Sequence, residues 1–161
     1  MTANAPQPRV PGVLFVCVRN GGKSQMAAAL MRHRAGDAVE VHSAGTDPGP
    51  TINALSAEAV AELGADMSGK VPRAIDPDLL RRVDRVVVLG ADAARDLVAR
   101  GDVGVSDDDT ARTVITWITD EPSGRGIDGL ERMRLIRDDI DRRVHDLLAE
   151  FTAERADPSP R

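Results

Sequence analysis

Val13-Leu14-Phe15-Val16-Cys17-Val18-Arg19-Asn20-Gly21-Gly22-Lys23-Ser24-Gln25-Met26-Ala27 decides the fold. Apolar residues run without alternation into the only cysteine of the chain. That pattern fits a strand buried on both faces of a parallel sheet. Gly21 and Gly22 lack a Cβ, so the loop after the strand can turn its backbone N–H groups inward. A helix predicted from about Ser24 adds unpaired N–H groups and the positive end of its dipole. Such a nest binds a tetrahedral oxyanion and favours the thiolate of a cysteine held in it. The stretch therefore offers a nucleophile, Cys17, and a phosphate-binding cradle of Val18, Arg19, Asn20, Gly21, Gly22, Lys23 and Ser24.

Outward from this stretch, strands and helices alternate. The first strand spans residues 12–17 and the first helix residues 24–35, with Gly36 as its stop. A second strand is expected over 39–43, a loop over 44–50 and a helix over 53–63. Asp76 caps a short helix that has Pro77 at its first position. A third strand over 85–89 precedes a helix over 91–99, and residues 101–109 read as acidic and exposed. A fourth strand over 113–118 leads into a polar loop at 119–126. In the last helix Leu130, Met133, Ile136, Ile140, Val144, Leu147 and Phe151 recur every three or four residues. Right-handed crossovers then give a single three-layer α/β domain, with a four-stranded parallel sheet flanked by helices. The domain is assigned to residues 12–154, with flexible tails at 1–11 and 155–161. In such sheets ligands bind beyond the carboxyl ends of the strands, where Cys17, Leu89-Gly90 and 117–120 all fall.

Composition narrows the function. With 161 residues and 42% hydrophobic content, the chain can bury one sizeable core, although only 2% of it is aromatic. A net charge of −5 argues against nucleic-acid binding. One cysteine excludes an internal disulfide, and His33, His42 and His145 share no ligand spacing, so no metal is assigned. No apolar run reaches the length of a membrane span, and the chain reads as cytoplasmic.

Two signatures compete at the loop. Gly22-Lys23-Ser24 ends a nucleotide-binding P-loop, but the required glycine five residues earlier is Cys17. A nucleotide triphosphatase also needs a strand ending in a magnesium-binding Asp, and the third strand ends Leu89-Gly90-Ala91. The other signature is Cys, five residues, Arg, then Ser or Thr, and here Lys23 stands at the Arg position.

Cys17 to Ala27, Ser43-Ala44-Gly45-Thr46, Glu121-Pro122 and Arg134-Leu135-Ile136-Arg137-Asp138 together resemble the low-molecular-weight protein tyrosine phosphatase superfamily, especially its arsenate-reductase branch. The resemblance implies Cys17 as nucleophile, Lys23 as the loop cation, and Glu121 or the adjacent Asp120 as general acid. It covers nearly the whole chain, with three departures. Lys23 offers a point charge where Arg grips two oxyanion oxygens. Thioredoxin-coupled arsenate reductases pass the oxidation to further cysteines, and this chain has none. The acid position is Glu121, one methylene longer than Asp.

On these grounds the chain is expected to be an enzyme, a phosphomonoester hydrolase working through a cysteinyl-phosphate on a phosphorylated protein or small oxyanion substrate. An arsenate reductase that uses an external low-molecular-weight thiol is the alternative, and an oxyanion-binding protein with little catalysis a third. No cofactor is expected beyond that thiol, and no nucleic-acid or membrane partner. The oligomeric state stays open.

Overall fold

The computed structural model describes residues 9–101 and 113–156. Its four strands are β1 (Gly12–Cys17), β2 (Glu40–Gly45), β3 (Arg85–Leu89) and β4 (Thr113–Trp117). They pair in the order β2-β1-β3-β4, every pair parallel. The helices are α1 (Lys23–Ala35), α2 (Ala54–Ala61), α3 (Pro77–Arg82), α4 (Ala91–Ala99) and α5 (Gly129–Ala156). The three-layer arrangement follows from β1, whose successive side chains face opposite sides of the sheet. Val13, Phe15 and Cys17 join a core with α1, α2 and α5, while Leu14 and Val16 join one with Leu80, Ala93 and Leu97. Trp117 is buried against Phe15, with ring centroids 5.8 Å apart.

The strand order also places the site. From β1 the chain crosses to β2 on one side and later returns to β3 on the other, so the connections diverge at the carboxyl end of β1. An open α/β sheet leaves its ligand crevice at that point. Asn53 and Asp76 cap α2 and α3 by accepting from the N–H groups of Ser56 and Asp78.

Some boundaries differ from the sequence reading. Strand β2 extends to Gly45 because its pairing with β1 continues to Cys17, and the N–H of Gly45 also donates to the carbonyl of Arg73, 2.8 Å away. Short 3₁₀ turns occupy Gly36–Ala38 and Pro122–Arg125. Residues 1–8 and 157–161 of the assigned tails lie outside the described residues, as does nearly all of the acidic 101–109 segment. The described ends of those tails are engaged. Arg9 donates to the carbonyl of Arg82, Pro11 accepts from Glu40, and α5 continues to Ala156. No described helix is long and apolar enough to cross a membrane.

Candidate active site

The loop from Cys17 to Ser24 is shaped by its own carbonyls. Those of Cys17, Val18, Arg19 and Gly21 accept from the N–H groups of Thr46, Asp47, Gly49 and Asn53, at 2.7–3.0 Å. The segment 46–53 thus pulls the carbonyls outward, which leaves the amides to face the other way. Among the described residues, the N–H groups of Arg19, Gly21, Gly22, Lys23 and Ser24 make no hydrogen bond. They sit at the amino end of α1, so the arrangement is a nest for an oxyanion.

Two glycines permit this close approach. A Cβ on Gly45 would lie 2.6 Å from the carbonyl oxygen of Val18, and one on Gly21 would lie 2.9 Å from that of Thr51. Asn20 takes the left-handed conformation, φ 53°, the only non-glycine with positive φ among the described residues.

The hydrogen bonds around Asn20 orient a proton toward the sulfur. Asn20 Oδ1 accepts from the backbone N–H of Arg73 at 2.8 Å and from Gln25 Nε2 at 3.2 Å. A backbone N–H can only donate, so the oxygen must face Arg73 and Nδ2 must face Ser24. Nδ2 then donates to Ser24 Oγ at 2.7 Å. To a thiolate, which can only accept, the Ser24 hydroxyl donates across the 2.9 Å to Cys17 Sγ. The Asn20 N–H also donates to Sγ, at 3.2 Å. Two donors on one sulfur suit a thiolate nucleophile.

The side chains proposed to hold charge are distributed differently. Lys23 opens α1 and lines a groove of about 550 Å³ with Gly21, Gly22, Asn53, Arg132 and Met133. The guanidinium of exposed Arg19 pairs with Asp47 at 2.7 Å and also donates to the Asp47 carbonyl. Both carboxylates after β4 are clamped by arginines. Asp120 accepts twice from Arg125, at 2.9 and 3.0 Å. Glu121 accepts twice from Arg132, at 2.8 and 3.1 Å, and once from Ser123 Oγ. Arg125 holds Asp120 below the usual carboxylate range, and Arg132 lowers Glu121 to about 2. Neither carboxyl carries a proton to give near neutral pH.

Supporting residues invisible to the sequence reading now stand out. Gln25 and Arg73 fix Asn20, Arg132 occupies Glu121, and Asp139 accepts from the N–H of Asp120 at 2.7 Å. Asp139 did leave a signal, as a carboxylate beside Ile140 in the apolar stripe of the last helix.

These clamps carry a pH dependence. Glu62, gripped by Arg134 and Arg137, is also lowered to about 2. Glu62 and Glu121 are ionised in the folded chain down to about pH 2, whereas in the unfolded chain they protonate near 4.5. Their contribution to stability is therefore complete above pH 4.5 and lost as pH falls toward 2. The urea midpoint should fall across that window, and the fall should be shallower in Arg132→Gln. An equal slope in both proteins would show that the Glu121 clamp adds no stability.

Known proteins share this architecture. The low molecular weight phosphotyrosine protein phosphatase family profile matches residues 12–157. A putative arsenate reductase of Halobacterium salinarum is 35% identical over 145 residues, covering 87% of this chain and 92% of that protein. An arsenate reductase of Brevibacillus brevis is 30% identical over 132 residues, covering 82% and 90%. Among solved structures, a thioredoxin-dependent arsenate reductase of Corynebacterium glutamicum superposes with a TM-score of 0.71 at 31% identity. That match covers 91% of this chain but 64% of the longer relative. An arginine phosphatase of Geobacillus stearothermophilus, at 19% identity and a TM-score of 0.74, shares the fold.

Proposed function

The chain belongs to the low molecular weight phosphotyrosine protein phosphatase family, on its arsenate-reductase-like branch, and from that premise we propose that it is a thiol-dependent arsenate reductase. The sequence alone put phosphomonoester hydrolysis first. The relatives favour the reverse order, and so does the chemistry of the site.

The observation that carries this reading is the state of the two carboxylates. Hydrolysis of a phosphomonoester needs an acid to protonate the leaving alkoxide or phenoxide. Glu121, lowered to about 2 by Arg132, and Asp120, held by Arg125, are both ionised. Arsenate asks less of the protein, because the departing As–OH oxygen already carries one proton and takes the second from solvent.

In the first step Cys17 Sγ attacks arsenic and the oxygen of an As–OH group takes one proton from solvent and leaves as water. The loop amides hold the remaining oxygens, and Lys23 offsets their charge. Cys17 is the only cysteine, so no second sulfur of this chain can displace it. An external small thiol then attacks arsenic, and Cys17 leaves as thiolate with Ser24 and the Asn20 amide donating to it. A second thiol attacks the sulfur bonded to arsenic, which departs as arsenite with the electron pair. One arsenate and two thiols give one arsenite, one disulfide and one water. Such chemistry suits the cytoplasm, where small thiols are kept reduced.

Arsenite formation should be measured with cysteine, glutathione and sugar-linked thiols, and with thioredoxin, beside turnover of an aryl phosphate alone. At least a tenfold rise in arsenite with one small thiol is expected, with little aryl phosphate turnover. Aryl phosphate turnover without thiol-dependent arsenite would restore the hydrolase. Tight oxyanion binding with neither activity would leave a binding protein.

A further inference from the structure

Behind the nucleophile loop, on the far side of Gln25, lies a second cavity of about 410 Å³. It shares no residue with the groove beside Lys23. Arg32, Lys70, Arg73 and His42 line it, against one carboxylate in the lining, that of Asp76. Asp76 is already engaged as the cap of α3, accepting from Asp78.

Arg32 reaches the cavity from α1. Its Nη2 donates to the carbonyl of Val41 at 3.2 Å, but its Nη1 is fully buried with no hydrogen-bond partner. A buried guanidinium nitrogen without an acceptor is costly. Burial and the neighbouring Arg73 guanidinium both hold Arg32 below its ordinary value, so the two cations lie close enough to repel. Glu40, the partner of His42 in the lining, is itself taken by Arg82. An anion with several oxygens seated among Arg32, Lys70 and Arg73 would offset that repulsion.

We propose that this cavity is a second oxyanion site, in which Arg32, Arg73 and Lys70 hold a phosphate group, free or carried on a small molecule. Three cations against one occupied carboxylate select a multiply charged ligand over a monocarboxylate. The cavity is much larger than one phosphate ion, and Val71, Ala44 and Leu79 in its region give a small organic portion an apolar wall. Gln25 connects the two sites, because its Nε2 donates both to Asn20 Oδ1 and to the carbonyl of Val71. Occupancy therefore steadies the segment that fixes Asn20.

The test uses the full chain with Cys17 alkylated by iodoacetamide, which fills the nucleophile loop and leaves the second cavity free. Calorimetric titration with inorganic phosphate should then show one equivalent bound, and two in the unmodified protein. Arg73 is exposed, so Arg73→Gln is expected to fold, and its alkylated form should bind phosphate at least tenfold more weakly. Arg32→Gln should match it. Glycerol 3-phosphate serves as the second probe. Tighter binding of that ester assigns a phosphomonoester ligand, and tighter binding of inorganic phosphate the free ion. Acetate should not compete. No phosphate binding by the alkylated wild type, or equal binding by alkylated Arg73→Gln, would overturn the proposal. Neither result bears on arsenate reduction.

Discussion

Cys17→Ser should lower thiol-dependent arsenite formation by on the order of 10⁴-fold or more, the scale on which loss of a nucleophile acts. Oxyanion affinity should change little. The cradle is built from the backbone amides of Arg19 and of Gly21 to Ser24, and the exchange of sulfur for oxygen alters none of them. The hydroxyl is a far weaker nucleophile than a thiolate under the same two donors, Ser24 Oγ and the Asn20 N–H. Rate and binding should therefore separate, which a misfolded variant would not show. Arsenite formation by Cys17→Ser within tenfold of wild type would remove Cys17 from the mechanism.

Asn20→Ala should be the most damaging change outside the nucleophile. Asn20 is 0% exposed and makes three side-chain hydrogen bonds, to Ser24, Gln25 and the Arg73 backbone. Each buried group left unsatisfied costs about 1–3 kcal/mol. Alanine at φ 53° adds strain of about 1 kcal/mol. A loss of about 3–5 kcal/mol in stability is expected after partial relaxation. The Ser24 hydroxyl also loses the bond that turns it toward the sulfur, and a misplaced donor of this kind costs about 10²-fold in rate. Asn20→Gly separates the two causes, because it keeps the backbone conformation and removes only the side-chain bonds. If Asn20→Gly retains wild-type rate and only Asn20→Ala loses it, backbone strain matters and the hydrogen-bond chain does not. Wild-type behaviour of both variants would remove Asn20 from the site.

The two sets of predictions rest on different kinds of information. The apolar run of β1 and the heptad-like stripe of α5 are local, and each specifies its element without reference to the rest of the chain. The same holds for the caps Asn53 and Asp76. The fate of Arg19 was less local. It lies inside the loop by sequence, yet Asp47, brought alongside by β2 pairing, takes its guanidinium.

By itself the sequence determined a parallel α/β domain, a lone cysteine at the end of its first strand, and a glycine-containing loop ahead of a helix. These follow from hydrophobic periodicity and from the backbone freedom of glycine, which act over a few residues. Tertiary structure alone decided the state of the charged groups. Glu121 meets Arg132 across 11 positions, Asn20 meets Arg73 across 53, and Arg32 reaches the cavity that Arg73 lines. A carboxylate's proton and a guanidinium's partner depend on what lies within a few ångströms, and only the folded chain sets those neighbours.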